Sequence, residues 1–266
     1  MGRGPVAGPT RRSGCLKLSR SILSACLTTV ASGLVLGGCS VSATRIDPQA
    51  AAAPPADKVV LVHGLWRGKS AMWLLAHRLE EAGFEVVRVD YASFTATPEE
   101  IVAEVSAQID ACCGTASRPV HFVGHSMGGL AIRSYLVDGR VPRPGRVVLI
   151  GSPNSGTPIV DEHGDAWWMA LAGPTARALG TGPDSFPNAL PEPDYPVGVI
   201  AGFWAGPFGL DFVAGDDDGL VPVESTKVPG MTDFVLVDAG HAALRYREEV
   251  ADQVVAFLRH GRFVHE

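Results

Sequence analysis

Residues 120–130 read VHFVGHSMGGL, and this stretch decides the fold. An apolar run, Val120–Val123, precedes Gly124-His125-Ser126-Met127-Gly128, and a helical pattern follows. In a sharp strand-to-helix turn, flanking glycines leave room for closely spaced backbone, and the turn raises the serine hydroxyl above the sheet. The helix directs its positive N-terminal end at that hydroxyl. The pattern predicts Ser126 as a nucleophile, and the alternative is a glycine-rich turn with an incidental serine.

Apolar runs alternate with amphipathic stretches on both sides of this turn. Strands are predicted over residues 58–62, 85–90, 120–123, 146–150, 197–201 and 233–237. Helices are predicted from Ser70 to Gly83, after the capping box Thr97–Glu100, over 127–137 and over 242–260. This alternation predicts an α/β fold with an about six-stranded, mostly parallel sheet and helices on both faces.

One segment interrupts the alternation. Residues 153–194 contain seven prolines and the pair Trp167-Trp168. We interpret them as a lid-like excursion from a single domain over 58–262, with one helix at 165–179. Ligands of open α/β sheets bind at the carboxyl ends of the strands, and the excursion leaves from such an end.

The N-terminus differs in composition from this domain. Residues 1–38 hold five basic residues and no acid, and an apolar run over 21–36 follows the basic part. This arrangement is typical of a secretory signal peptide, and the run is short for a permanent transmembrane helix. Residues 39–57, which include Ala50–Ala56 with two prolines, are predicted to form a tether.

The end of the apolar run, Leu36-Gly37-Gly38-Cys39, resembles a bacterial lipobox. The resemblance implies that Cys39 becomes a lipidated N-terminus that anchors an exported protein to a membrane of the cell envelope. The alternative is a signal peptide without lipidation and a secreted protein.

The charge of the chain is consistent with an acyl anchor. The whole chain has a formal charge of -6, and removal of 1–38 leaves 17 basic against 28 acidic residues, near -11. An acidic body disfavours nucleic acid and direct docking on anionic lipid. Hydrophobic residues make up 46% of the sequence, which excludes a disordered chain.

A serine nucleophile needs a base and a carboxylate that orients the base. His241 follows the last predicted strand at the same sheet edge as Ser126, so it is the predicted base. Asp218 is the predicted acid, with Asp216 and Asp217 as alternatives. The alternatives to a catalytic role for these aspartates are a solvated acidic turn and a calcium loop. The calcium loop fits poorly, because position 225 is serine where such a loop requires glutamate.

The oxyanion of acyl transfer needs hydrogen-bond donors. The amides of Leu65, which ends the first strand segment, and Met127 are the candidate pair. His63 is expected to support the Leu65 loop by hydrogen bonding. The order serine, aspartate, histidine along the chain is the order found in α/β-hydrolases.

Five motifs together carry a family resemblance: VLVHGL at 60–65, GHSMGG at 124–129, GSPNSGTP at 151–158, DDDGLVPVES at 216–225 and GHAAL at 240–244. From about Lys58 to Arg262 the chain resembles the α/β-hydrolase superfamily, in particular its compact bacterial lipases and esterases. The resemblance implies Ser126 as nucleophile, Asp218 as acid, His241 as base, and Leu65 with Met127 as oxyanion hole.

The expected function is therefore hydrolysis of carboxylic esters through an acyl-enzyme, with a small-molecule or lipid ester as substrate. An acyltransferase or thioesterase would use the same residues, and a tethered lipid-binding protein would keep only the fold.

Further expectations concern the groove, cofactors and cysteines. Trp66 and Trp204 follow strand ends and are predicted to line a substrate groove, the alternative being ordinary packing. No motif for a metal or nucleotide is present in the sequence, so no cofactor is expected. Cys112 and Cys113 are interpreted as buried thiols rather than as a disulfide between neighbours.

Overall fold

The computed structural model describes residues 56–137, 141, 144–204 and 216–265. The predicted signal peptide, Cys39 and most of the predicted tether lie outside the described residues. Within these ranges, no helix combines the length and apolar character that crossing a membrane requires.

Six strands in the described residues form one sheet: β1 (Lys58–Val62), β2 (Glu85–Val89), β3 (Val120–His125), β4 (Pro144–Ile150), β5 (Val197–Phe203) and β6 (Asp233–Asp238). Their spatial order is β2-β1-β3-β4-β5-β6, and all five neighbouring pairs are parallel. The predicted α/β fold with a parallel sheet is confirmed. A parallel sheet places all carboxyl ends at one edge, which is where the candidate residues lie.

Helices connect and cover the strands. The described α-helices are α1 (Trp73–Glu81), α2 (Pro98–Cys113), α3 (Met127–Val137), α4 (Pro158–His163), α5 (Trp167–Leu171), α6 (Pro174–Arg177), α7 (Val223–Thr226) and α8 (Glu248–His260). The same described ranges contain two short 3-10 helices, Lys69–Met72 and Leu244–Tyr246.

The sheet is buried on both faces because successive strand residues point to opposite sides. In β1, Val60 and Val62 join a core with the apolar faces of α2 and α3, whereas Val59 and Leu61 join a second core with α1 and α8. All four side chains are fully buried. The continuous apolar runs of the sequence are therefore strands sandwiched between helices.

Three helix limits differ from the predictions. Ser70 does not cap a helix but lies inside the 3-10 helix, whose cap position is Gly68. The last helix begins at Glu248 rather than near 242, because Arg247 has extended backbone with ψ of 135°. The predicted single helix at 165–179 is wrong.

Two short helices, α5 and α6, replace that single helix. Gly173 separates α5 from α6 with a φ of +92°, which no continuous right-handed helix accommodates, and Pro174 then starts α6.

The preferred interpretation of the adjacent cysteines as thiols is also wrong. A disulfide joins Cys112 and Cys113, whose Cα atoms are 3.8 Å apart. This is the ordinary spacing of neighbours across a trans peptide. The pair forms the end of α2, and the helical pattern of the sequence did not distinguish a bonded pair from two thiols.

The capping box of α2 is formed as predicted. Thr97 Oγ1 accepts from Glu100 N–H at 3.3 Å, and the Glu100 carboxylate accepts from Thr97 N–H at 2.9 Å. Thr97→Ala removes one of these bonds and is expected to lower the free energy of unfolding by about 1 kcal/mol. Urea denaturation measures the loss, with Thr115→Ala in an exposed loop as control. Equal stability of the two variants would contradict a capping role.

Candidate active site

Ser126 alone makes the turn from β3 to α3, since β3 ends at His125 and α3 begins at Met127. Its φ is +56°, in the left-handed region that non-glycine residues seldom adopt. A Cβ on Gly124 would lie 2.5 Å from the Gly129 Cα, and one on Gly128 would overlap the Val62 carbonyl oxygen. The two glycines therefore allow the close approach of backbone that the sequence predicted.

Asp218 and His241 are in direct contact. His241 Nδ1 lies 2.7 Å from Asp218 Oδ2, and the backbone N–H of His241 donates to the Asp218 carbonyl at 2.7 Å. The second carboxylate oxygen accepts the N–H groups of Leu220 at 3.1 Å and Val221 at 2.8 Å. The Asp218 side chain is fully buried, so these donors hold a carboxylate that has no water around it.

The two alternative acids occupy other positions. Asp216 is exposed, and Asp217 Oδ1 accepts the Gly219 N–H at 2.5 Å. Of the three neighbouring aspartates, the structure brings Asp218 to His241.

Ser126 and His241 line the same cavity. Because Nδ1 of His241 faces Asp218, its Nε2 is the ring nitrogen left for a proton from elsewhere. Among the described residues, Ser126 and His241 line the same cavity, but no hydrogen bond joins the Ser126 hydroxyl to His241. Catalytic hydrogen bonds commonly tighten only when substrate is present.

The loop after β1 lies against Ser126. A Cβ on Gly64 would come 2.8 Å from the Ser126 Cβ. The next residue, Leu65, lines the cavity, and Met127 begins α3 on the other side of the serine. Among the backbone bonds of the described segments, neither the Leu65 N–H nor the Met127 N–H has an acceptor. Both amides are therefore candidate donors to an oxygen beside Ser126.

His63 supports this loop by hydrogen bonding, as expected. Its ring nitrogens lie 2.8 Å from the Gly64 carbonyl oxygen and 3.2 Å from Asp90 Oδ1. The ring stacks on Tyr91 at 4.2 Å between centroids, and the Tyr91 hydroxyl donates to the His63 carbonyl at 2.7 Å. Burial lowers the pKa of His63.

The cavity has a volume of about 240 Å³. Its walls come from the strand-end loops and from α4 to α6, and most of them are apolar, including Leu65, Ile159, Met169, Leu179 and Val221. Trp66 lines the cavity and donates from Nε1 to the Ala172 carbonyl at 2.8 Å. Trp204 lies outside the wall and contacts Gly240, whose would-be Cβ is 3.7 Å away. Of the two tryptophans predicted to line a groove, Trp66 therefore lines the cavity that contains Ser126, and Trp204 does not.

A sequence profile of the Alpha/beta hydrolase family matches residues 59–253. The chain belongs to this family. The matched region contains the turn at Ser126, the Asp218–His241 contact and the loop of Leu65, so the family assignment and the geometry concern the same residues. Among curated protein sequences, none matches the chain significantly.

Solved structures share the fold of this alpha/beta hydrolase. The mature lipase BlEst2 of Bacillus licheniformis is 21% identical with a TM-score of 0.65, over 82% of this chain and 96% of that one. The metagenomic carboxyl esterase MGS0156 is 18% identical with a TM-score of 0.54, over 72% and 66%. A putative thioesterase from Silicibacter is 22% identical with a TM-score of 0.50, over 77% and 76%. At these identities the likeness shows the fold alone.

The sequence analysis missed two cavity residues of the hydrolase, Arg67 and Arg245. Arg67 adjoins Trp66, and Arg245 follows His241 by four residues, close to one helical turn. That spacing gave no signal, because residues 241–245 lie in a turn and the 3-10 helix Leu244–Tyr246 and not in an α-helix. Their charge gave no signal, since isolated arginines are usually exposed.

His125 is a buried histidine directly before Ser126. Its Nε2 donates to the His241 carbonyl at 2.9 Å, and its Nδ1 is buried without a partner in the described structure. Burial, followed by the charge of His241, lowers the pKa of His125 well below 6.5. The unfolded chain therefore binds a proton near pH 6.5 that the folded protein does not.

Stability is expected to fall as the pH drops below about 6.5 toward the folded pKa of His125. Urea unfolding of the parent should give a lower free energy of unfolding at pH 5.5 than at pH 7.5. His125→Gln should reduce this difference, and His77→Gln, at an exposed helical position, should leave it unchanged. If both variants keep the parent's pH dependence, the buried neutral ring at 125 does not cause it.

Proposed function

We propose that this alpha/beta hydrolase is a serine hydrolase of carboxylic esters, of the lipase and esterase type. The observation that carries the proposal is the 2.7 Å contact between His241 and buried Asp218, in a cavity that also exposes Ser126 on its one-residue turn. A serine hydroxyl becomes a nucleophile when a positioned imidazole accepts its proton.

The first half-reaction forms an acyl-enzyme. Ser126 Oγ attacks the ester carbonyl carbon while His241 Nε2 accepts its proton. Asp218 orients the ring and stabilises the imidazolium. The amides of Leu65 and Met127, which lack other acceptors in the described chain, hold the negative oxygen. The carbon–oxygen bond then breaks, and the leaving alcohol takes the proton from His241.

The second half-reaction uses water. His241 Nε2 takes a proton from a water molecule, whose oxygen attacks the acyl carbon. The bond to Ser126 Oγ breaks, the serine regains a proton from His241, and the acid leaves. The positive end of α3, which begins directly after Ser126, favours the negative charge in both steps.

Ser126→Ala is expected to lower kcat for p-nitrophenyl butyrate by at least about 10⁴-fold, and Asp218→Asn by about 10³–10⁴-fold. Asp216→Asn, in the same turn but exposed, should stay near the parent rate. A fluorophosphonate probe should label the parent and not the Ser126→Ala protein.

Other outcomes point to other functions. Equal rates for the parent and Ser126→Ala would overturn the proposed nucleophile. Probe labelling without ester hydrolysis would favour thioesters or acyl transfer, which thioester substrates and product analysis with competing alcohols resolve. Absence of both labelling and turnover would favour a lipid-binding protein that keeps the fold without catalysis.

We also propose that the protein is exported and anchored to a membrane through an acyl group on Cys39. The support is the sequence alone: a basic segment, an apolar run and then Leu36-Gly37-Gly38-Cys39. Because the remaining body is acidic, attachment would depend on the acyl chains rather than on lipid headgroups.

Cells fed an alkyne fatty acid test the anchor. The full chain should carry the label at a mature N-terminus of Cys39, as mass spectrometry would show. Cys39→Ala should lose the label, whereas Cys26→Ala, inside the apolar run, should retain it. An unlabelled parent with a different mature N-terminus would contradict lipidation.

A further inference from the structure

Two arginines line the cavity of Ser126, and ester hydrolysis itself uses neither. Arg67 and Arg245 contribute to the wall, and no aspartate or glutamate is among the described residues that form it. The whole chain has a formal charge of -6, so a cavity with two cations and no acid contrasts with the rest of the protein. The contrast indicates a local preference for negative charge.

Arg245 is buried at 6% exposure on the 3-10 helix Leu244–Tyr246. Its Nε is buried without an acceptor, and within the described ranges its guanidinium forms no ion pair or hydrogen bond. Among the described residues the guanidinium lies over the Tyr246 ring, 4.5 Å from Cζ to centroid, a contact that leaves its N–H groups unused. Arginine keeps its charge in proteins, so burial without an anion is unfavourable until one binds.

Arg67 lies at the exposed side of the same cavity. Its N–H donates to Ser93 Oγ at 3.0 Å, and the Ser93 hydroxyl donates to the Arg67 carbonyl at 2.5 Å, so two bonds fix its backbone. Its Nη1 donates to the Trp66 carbonyl at 2.9 Å, which leaves further N–H groups for a ligand.

The positive charges of Arg245 and Arg67 affect the histidine that precedes Ser126. Both Arg245 and Arg67 contribute, after burial and the charge of His241, to the lowered pKa of His125, the residue before Ser126. Arg245 and Arg67 line the same cavity of about 240 Å³ as Ser126, so a ligand anion bound to them would share that cavity with the proposed nucleophile.

We infer that the natural substrate is an anionic ester, whose carboxylate or phosphate binds Arg245 with help from Arg67. This inference rests on the proposed ester hydrolysis and names its substrate class. A guanidinium matches either oxyanion with two parallel N–H donors. The apolar walls, including Ile159 and Met169, then hold the hydrocarbon part of the same molecule.

Pairs of esters that differ only in charge test the inference. One pair is 4-nitrophenyl pentanoate and mono-4-nitrophenyl glutarate, with a carboxylate on the acyl side. A second is a monoacylglycerol and the lysophosphatidic acid of the same acyl chain, with a phosphate on the alcohol side. The parent should prefer the anionic member of at least one pair by about tenfold or more in kcat/KM. The pair that shows the preference identifies the anion and its side of the ester.

Substitutions of the two arginines test whether they cause this preference for the anionic ester. Arg245→Gln should reduce the ratio of anionic to neutral kcat/KM by at least tenfold, Arg67→Gln should reduce it less, and Arg245→Lys should retain part of it. Arg88→Gln, at an exposed position of β2, is the matched control and should leave the ratio unchanged. If Arg245→Gln does not fold, the smaller loss in Arg67→Gln still decides the question.

A binding experiment separates this inference from the proposed function. The Ser126→Ala protein is titrated calorimetrically with octanoate and octanamide, and octanoate should bind at least tenfold more tightly. Neutral esters hydrolysed by the parent without an anionic preference, or a preference that survives Arg245→Gln, would overturn the inference and leave the hydrolase intact. Tighter octanoate binding that is lost when Arg245→Gln is added to Ser126→Ala, without ester turnover by the parent, would overturn the hydrolase and keep the anion site. Equal binding of octanoate and octanamide, together with equal binding of octyl phosphate and octanol, would remove the site.

Discussion

The close approach of α3 to the ends of β1 and β3 is the constraint on which the site depends. Only one residue separates β3 from α3, so the helix starts against the backbone of the sheet, and a side chain at Gly128 would overlap the Val62 carbonyl. This closeness holds Ser126 at a positive φ and places its Cβ beside Gly64, in the loop of Leu65. The parallel sheet then brings Asp218 and His241 to the same edge, because they follow later strands.

Much of this arrangement could be predicted, because each strand carries its own local signal. The apolar runs predicted the limits of the six strands to within a few residues, because strands of a parallel sheet are buried on both faces. The capping box at Thr97 fixed the start of α2 through a bond between near neighbours. Ser126 and His241 are predicted because each directly follows a strand, and Asp218 because Asp-Gly-Leu-Val-Pro predicts a turn. Asp218 and His241 are in contact.

Features that depend on contacts distant in sequence could not be predicted. Trp66 and Trp204 both follow strands, yet only Trp66 lines the cavity, since that depends on where residues 159–179 fold. Arg245 looks like an ordinary surface arginine in sequence, and only the packing around the Leu244–Tyr246 segment buries it. The division of the predicted helix at 165–179 into α5 and α6 follows from the backbone of Gly173, whose φ the periodicity of apolar residues does not report.

The hydrogen bond from the Trp66 indole to the Ala172 carbonyl joins the loop after β1 to the segment of short helices that lines the cavity. Ala172 lies between α5 and α6, in the segment that covers the cavity, and Trp66 is the neighbour of Leu65. If this segment moves outward to admit a bulky molecule, the hydrogen bond must break or Trp66 must move with the segment. The bond thus ties the loop that carries the Leu65 amide to the segment that supplies much of the apolar wall of the cavity.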